Sequence, residues 1–325
     1  MLGKIGLEEH FSHIDTIQDS KLGVSDLNWA RVKEGLLDIQ KIRIEEMDKH
    51  GIEMMILSLN SPAVQSVLEA GKAVDMAKMA NDYLADEIAK NPKRFAGFAA
   101  LPMQDPDAAA AELHRCVKDY GFKGALVNGF SNLHVEDSCY YYDLPQYWPF
   151  WAEVEKLDVP FYLHPRAALK SQRRIYEGHE HLLQSPWGFS VETGTHALRL
   201  MGSGLFDAYP GLNIILGHLG ELLPANIWRT THRLAAGVPQ ETRFKRPFNE
   251  YLQENFYVTT SGNFRMAPLL TAMMEMGSDR IMFSTDWPFE FIKDAATWFD
   301  NVEICDSERL KIGRLNAIRL FKLDI

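Results

Sequence analysis

Lys4-Ile5-Gly6-Leu7-Glu8-Glu9-His10-Phe11 opens the chain as a strand: apolar Ile5 and Leu7 alternate with Gly6, and the run then stops in acid, acid and histidine. On a regular strand, side chains two apart share a face. Glu8 and His10 are therefore expected to point one way with Gly6, and Glu9 the other. A carboxylate and an imidazole side by side at a strand end can supply two ligands to a divalent metal. Taken alone, the segment is more simply a charged strand end. Partners elsewhere in the chain decide between the two.

Apolar, β-rich runs bounded by turn residues predict seven further strands: Gly51 to Leu59, Arg94 to Leu101, Gly121 to Gly129, Val159 to His164, Leu212 to His218, Phe256 to Ser261 and Arg280 to Thr285. Segments of helical spacing lie between them: Leu36 to Lys49, Lys72 to Lys90, a helix opened by Asp105-Pro106, Gln146 to Leu157, Thr193 to Phe206, Glu221 to Leu234, Met266 to Met276 and a last one from Ser307 to Phe321. His50-Gly51, Tyr120-Gly121, Pro210-Gly211 and Gly277-Ser278 punctuate helix ends just before strands. Near-continuous apolar strands such as Ile214-Ile215-Leu216 are of the kind buried on both faces. Eight alternations predict an α/β fold, a (β/α)8 TIM barrel formed by residues 1–325 as a single domain. Its active site is expected at the C-terminal ends of the strands. Two stretches exceed what a barrel needs, Ser12 to Arg31 after strand one and Ser131 to Pro149 after strand four. The second carries Tyr140-Tyr141-Tyr142 and Trp148, and such loops commonly wall a substrate or meet another subunit.

Composition narrows the classes. A formal net charge of -10 argues against nucleic acid or an acidic membrane as the main partner. Cys116, Cys139 and Cys305 form no CxxC pair and read as reduced thiols of a cytoplasmic protein. The first strand begins within a few residues of Met1, so no leader is expected, and no apolar run is long enough to span a bilayer.

The strand ends supply the partners that the first segment lacks. Strand five ends Tyr162-Leu163-His164, strand six Leu216-Gly217-His218 and strand eight Ser284-Thr285-Asp286. A single buried histidine is commonly structural. Four coincident strand ends converging on one axis are not explained that way. Glu8, His10, His164 and Asp286 offer two imidazoles and two carboxylates, suited to one Zn²⁺ or Mn²⁺ ion with positions left open. His218 is a further candidate, as ligand or as acid/base neighbour. The other histidines (His13, His50, His114, His134, His179, His181, His196, His232) fall in helices or loops. Strand four ends Val127-Asn128, and its Lys123 lies near the strand's start, so a lysine-bridged pair of metals is not expected. No organic cofactor is implied.

At these residues the chain resembles the amidohydrolase superfamily, in its decarboxylating branch, and within that branch the γ-resorcylate (2,6-dihydroxybenzoate) decarboxylases. The resemblance spans LEEHF (7–11), FAALPMQDP (98–106), GALVNGF (124–130), YYDLPQYWPFW (141–151), DVPFYLHPR (158–166), NIILGHLGE (213–221), TTSGNF (259–264) and FSTDWPFE (283–290). It implies a metal held by Glu8, His10, His164 and Asp286, with His218 paired to Glu221. Hydrolytic relatives usually carry His-x-His on strand one, where this chain has Glu8-Glu9-His10. The implied reaction is a reversible, non-oxidative decarboxylation of an ortho-hydroxybenzoate. Asp286 would be the proton donor, with His218 and Glu221 holding it or a ring hydroxyl in place. Asn128, Arg229 and Phe289 are candidate substrate contacts, and Trp287 is either a ring-stacking or a packing residue. Alternatives are a hydrolase or lactonase of the same barrel, or a decarboxylase of 2,3-dihydroxybenzoate, salicylate or 5-carboxyvanillate. The resemblance also implies a homo-oligomer, tetramer or dimer.

Overall fold

The computed structural model describes residues 1–21, 24–237 and 244–325. Its barrel strands are β1 (Lys4–Phe11), β2 (Ile52–Leu59), β3 (Phe95–Gly97), β4 (Ala125–Asn128), β5 (Phe161–His164), β6 (Ile214–Leu216), β7 (Phe256–Thr259) and β8 (Ile281–Met282). All pairings among them are parallel: β1-β2-β3 form one run and β4-β5-β6-β7-β8 the other. Single bridges join the two runs, Ala99 to Ala125 on one side and Glu9 to Trp287 on the other, so the ring closes as an eight-stranded (β/α)8 barrel.

Each strand is apolar on both faces because both are buried. Ile5, Leu7, Met54, Ile56, Phe98, Leu126, Tyr162, Ile215, Tyr257 and Met282 fill the interior. Met55, Leu57, Val127, Leu163, Leu216 and Val258 meet the surrounding helices. Ala317, Phe321 and Leu323, near the C-terminus, join the interior layer beside the strand beginnings; the Phe98 and Phe321 rings meet edge to face at 5.6 Å.

β1 does not alternate strictly. Gly6 pairs with Met55 and Glu9 with Leu57, so three steps on β1 face two on β2. The N–H groups of Leu7 (3.2 Å) and Glu8 (2.6 Å) both donate to Ser284 Oγ. This is a β-bulge, which places one extra residue on one strand and re-aims the side chains beyond it. Leu7 stays in the interior layer, Glu8 turns inward above it, and Glu9 is returned to the outer face. The expected shared face of Gly6 with Glu8 and His10 is therefore wrong for Gly6. It lies outside beneath Glu9, where a Cβ would collide with the Glu9 carboxylate.

Several boundaries differ from expectation for local reasons. β6 stops at Leu216 because His218, Leu219, Gly220, Glu221 and Leu222 all have positive φ, and the next helix, Leu223–Gly237, consequently starts after Glu221 rather than at it. β8 is two residues long because Ser284 and Thr285 direct their hydrogen bonds to Glu9 and Thr260. Ser12 to Arg31 is not all loop: a helix runs Asp26–Leu37, and the expected Leu36 to Lys49 helix is a second, shorter one, Ile42–His50. The expected helix Thr193 to Phe206 is split: its first part belongs to a helix Gly188–Gly202, and Leu205 and Phe206 open a separate short one, Leu205–Ala208. Helices Phe248–Asn255 and Ile292–Asn301 add to the expected set, and the last helix contains a π-turn, Lys311–Leu315. The insertion after β4 holds an antiparallel hairpin, Ser131–Leu133 with Val135–Tyr140. Tyr142 is fully buried core, its hydroxyl 2.9 Å from Ser131 Oγ, and is not a wall. Among the described residues no helix is long and apolar enough to cross a membrane.

Candidate metal centre and active site

The bulge delivers Glu8 to the barrel axis, where it is completely buried. Its Oε2 accepts hydrogen bonds from the hydroxyls of Tyr162 and Ser261. Gly217 leaves the space it needs, since a Cβ there would stand 2.5 Å from Oε2. Among the described residues Oε1 has no hydrogen-bond partner. It lies 3.2 Å from His164 Nε2, 3.6 Å from His218 Nε2 and 4.0 Å from His10 Nε2.

His10 comes two residues later on the same inner face. Its Nδ1 is 3.2 Å from Ser58 Oγ, which leaves Nε2 free and pointing at Asp286 Oδ1, 3.4 Å away. Asp286 adopts φ 71°, a region that Asp tolerates better than most side chains, and its N–H donates to Glu8 O at 3.0 Å. Its Oδ2 lies 3.6 Å from His218 Nε2. The left-handed turn after β6 brings positions i and i+3 together, so His218 Nδ1 and Glu221 Oε1 are 2.6 Å apart. Positive φ at five consecutive positions is the kind of backbone strain that collects at functional sites.

Two groups of donor atoms each fall within 4.8 Å of one another: Glu8, His10 and His164, and Glu8, His218 and Asp286. Glu8 belongs to both. A buried carboxylate oxygen and a buried imidazole nitrogen without partners are costly unless something positive meets them. Two imidazoles and two carboxylates are a donor set that a Zn²⁺- or Mn²⁺-like ion accepts. The residues fit the metal.

The electrostatics run the same way. Burial opposes ionisation of Glu8, yet the His218, His164 and His10 imidazoles hold it well below the usual carboxylate range. Burial pushes His10 down, toward the neutral form that ligates. Burial also disfavours a charged His218, but the carboxylates of Glu221, Glu8 and Asp286 lift it well above an ordinary histidine.

Of these groups, His218, Glu221 and Asp286 line a cavity of about 630 Å³, together with Phe189, Asn263 and Glu290 among others. The remaining expected residues fall at different distances from it. Asn128, level with His164 on the neighbouring strand, is buried with Oδ1 unpartnered. The half-buried Phe289 ring stands 5.8 Å from His10, edge on. Trp287 is buried in the outer layer and packs. Arg229 sits on the exposed side of helix Leu223–Gly237 and outside the residues lining the cavity. His196, on helix Gly188–Gly202, is fully buried, accepts the Tyr142 N–H at 3.2 Å, and burial pushes it to about 3.

Sequence reasoning missed the hydroxyl collar: Tyr162, Ser261 and Thr259 around Glu8, Ser58 behind His10, and Ser284 with Thr285 around Glu9. A signal was available in TTSGNF and FSTDWPFE, where hydroxyl residues cluster where an apolar strand stops.

An amidohydrolase family profile matches residues 10–323. The chain is 58% identical to a γ-resorcylate decarboxylase of Rhodococcus jostii, with all of both chains covered. It superimposes with TM-score 0.97 on a 2,6-dihydroxybenzoate decarboxylase solved with 2,6-dihydroxybenzoate, at 58% identity over 99% of this chain and 100% of that one. A dihydroxybenzoic acid decarboxylase of Polaromonas sp., solved with manganese and the inhibitor 2-nitroresorcinol, gives TM-score 0.97 at 57% identity, covering 100% of this chain and 98% of that one.

Proposed function

The chain belongs to the amidohydrolase family, and on that premise we propose that it is a metal-dependent carboxy-lyase removing CO₂ from 2,6-dihydroxybenzoate to leave resorcinol. Glu8, His10, His164 and Asp286 hold the ion, Zn²⁺ or Mn²⁺. His218 and Glu221 act with Asp286 in the chemistry, and Asn128 and Phe289 contact substrate; Arg229, exposed and outside the cavity lining, does not. The whole chain works as one barrel domain, in the cytoplasm, where the free thiols Cys116, Cys139 and Cys305 stay reduced. It assembles as a tetramer or dimer; the exposed Trp187, Trp228 and Met274 offer apolar surface for that.

When bound, the ion supplies Lewis acidity and a template for the adjacent carboxylate and phenol oxygens of the substrate. The protein's part is the proton. Asp286 stands at the cavity wall with its Oδ2 facing His218, so it can give a proton to the ring carbon that bears the carboxyl group. One C–H bond forms as one C–C bond breaks; the electron pair of that bond stays with the ring and the carboxyl carbon departs as CO₂. Glu221 fixes the His218 ring through Nδ1 and directs Nε2 at Asp286.

The observation that carries the proposal is the meeting of Glu8 Oε1 and His10 Nε2, unpartnered among the described residues, with Asp286 and His218, the two of these groups that line the cavity. The test is a panel of Mn²⁺-loaded assays with 2,6-dihydroxybenzoate, 2,3-dihydroxybenzoate, salicylate and 5-carboxyvanillate, reading CO₂. 2,6-Dihydroxybenzoate should give the highest kcat/KM, and resorcinol with concentrated bicarbonate should run backwards. Hydrolysis of a lactone or ester without CO₂ release from any of the four acids would overturn it.

A further inference from the structure

Glu9 takes no part in the decarboxylation chemistry, yet it is among the most heavily bonded carboxylates of the molecule. Its Oε1 accepts from Ser284 Oγ (3.1 Å) and from the Thr285 N–H (2.9 Å), and its Oε2 from Thr285 Oγ1 (2.5 Å). Arg43, also fully buried, faces it and donates Nη2 to His10 O at 2.5 Å. These partners lie directly before Asp286 and directly behind His10.

Ser284 is the centre of this web. A hydroxyl has one proton to give and two lone pairs to receive with, and all three are used. It donates to Glu9 and accepts from the Leu7 and Glu8 amides, the two N–H groups that the bulge takes out of the β1–β2 ladder. Its own backbone is held by Thr260, whose Oγ1 accepts the Ser284 N–H and donates to Ser284 O, both at 3.0 Å.

The bulge decides which glutamate becomes a ligand. With strict alternation from Ile5 and Leu7, Glu9 would face the axis and Glu8 the helices. The extra residue reverses that choice. Two amides without acceptors inside the barrel wall would favour the unbulged register, because buried N–H groups need partners.

We infer that Ser284 is a positioning residue for the metal centre: its hydroxyl stabilises the bulge that turns Glu8 rather than Glu9 inward, and through Glu9 it ties that bulge to the strand end carrying Asp286. The inference rests on the metal-dependent reading of the site. Ser284 touches neither the substrate cavity nor the donor atoms, so its effect is on metal affinity.

The experiment is competition for Mn²⁺ between the full-length protein and a chromophoric chelator, with folding checked by circular dichroism. Removing a partner that orients a metal ligand typically costs ten- to a hundredfold in affinity, and Ser284→Ala should raise the Mn²⁺ Kd by about that much. Leu113→Ala, a cavity made in the outer layer under helix Pro106–Asp119, should lower Tm and leave Kd within twofold. Should Ser284→Ala fail to fold, Ser284→Cys replaces it, since sulfur fills the position as a weak acceptor, and the same rise is expected. A wild-type protein that binds no Mn²⁺ would sink the metal-dependent reading itself. A wild type that binds, with a serine variant within twofold of it, overturns the role of Ser284 alone. An equal loss in Leu113→Ala overturns it too, because the effect would then be general loosening.

Discussion

The two ends of the barrel interior are built from the same strands and obey opposite rules. At the strand beginnings Ile5, Met54, Ala96, Phe98 and Ile215 pack with Ala317, Phe321 and Leu323, an apolar plug with nothing left to satisfy. At the strand ends Glu8, His10, His164, His218 and Asp286 crowd together with unpartnered atoms on Glu8, His10 and His164. The β1 bulge, the left-handed turn from His218 to Leu222 and the positive φ of Asp286 all belong to the second end. One end lowers the free energy of the fold; the other gives back part of that gain to hold charges and strained backbone at a fixed geometry. β1 serves both because its bulge lets Leu7 and Glu8 point inward in succession.

The sharpest way to break this contrast is to remove what the polar end is built to hold. Stripping the metal with a strong chelator should abolish decarboxylation, and added Mn²⁺ should restore it; full activity in rigorously metal-free protein would end the scheme. Next in size is Asp286→Asn, which keeps the shape of a ligand and removes the proton. We expect turnover to fall by roughly a hundred- to ten-thousandfold, about 3–5 kcal/mol of barrier, while the variant still takes up metal. Normal CO₂ release by Asp286→Asn would show that the proton comes from elsewhere.

The apolar end should respond in stability and not in chemistry. Phe321→Ala removes a buried ring packed on Phe98 and is expected to cost about 3–5 kcal/mol of unfolding free energy, measured by urea titration. The surviving folded fraction should bind Mn²⁺ with unchanged Kd. A weakened metal site in that variant would mean that the two ends are mechanically coupled, and the separation between them would fail.

How much of this is legible in the chain divides along the same line. The barrel is, because strands such as Ile214–Leu216 are apolar on both faces and the helix-ending glycines stand just before them. The five groups at the strand ends are also legible, since a polar residue directly after a buried run sits where the barrel gathers its side chains onto one axis. Direction is not. Strict alternation puts Gly6 with Glu8, and nothing in LEEHF announces the bulge, which depends on Ser284, 276 positions away from Glu8. Glu221 and Leu222 read as the start of a helix because both are ordinary helix formers; the positive φ values from His218 to Leu222 come from the tertiary setting, where Leu219 N–H donates to Thr259 O at 2.7 Å. Glu192 and His196 look like one face of an ordinary helix, and only the fold shows them buried.

Glu192 gives the smallest and most discriminating test of the polar end, because its cost should depend on pH while that of the apolar plug should not. It is nearly fully buried on helix Gly188–Gly202. Burial raises its carboxyl from an ordinary 4.5 to about 7; Tyr141, Arg166 and Arg199 oppose the rise and Glu221 adds to it, while Cys139 and His196 are the other titratable groups nearby. Below pH 4.5 the folded and unfolded chains both keep this proton and its contribution is complete. Between 4.5 and about 7 the unfolded chain ionises and the folded one does not, so stability falls as pH rises, and above about 7 it levels off. A shift of this size corresponds to at most roughly 3 kcal/mol. Glu192→Gln cannot ionise, so its stability relative to wild type should climb by up to that amount between pH 5 and pH 8. Comparing urea titrations of the two proteins at each pH cancels every other titrating group, and the same difference for Phe321→Ala should stay flat. A Glu192→Gln difference that is equally flat would mean that this carboxylate ionises as readily inside the protein as outside it.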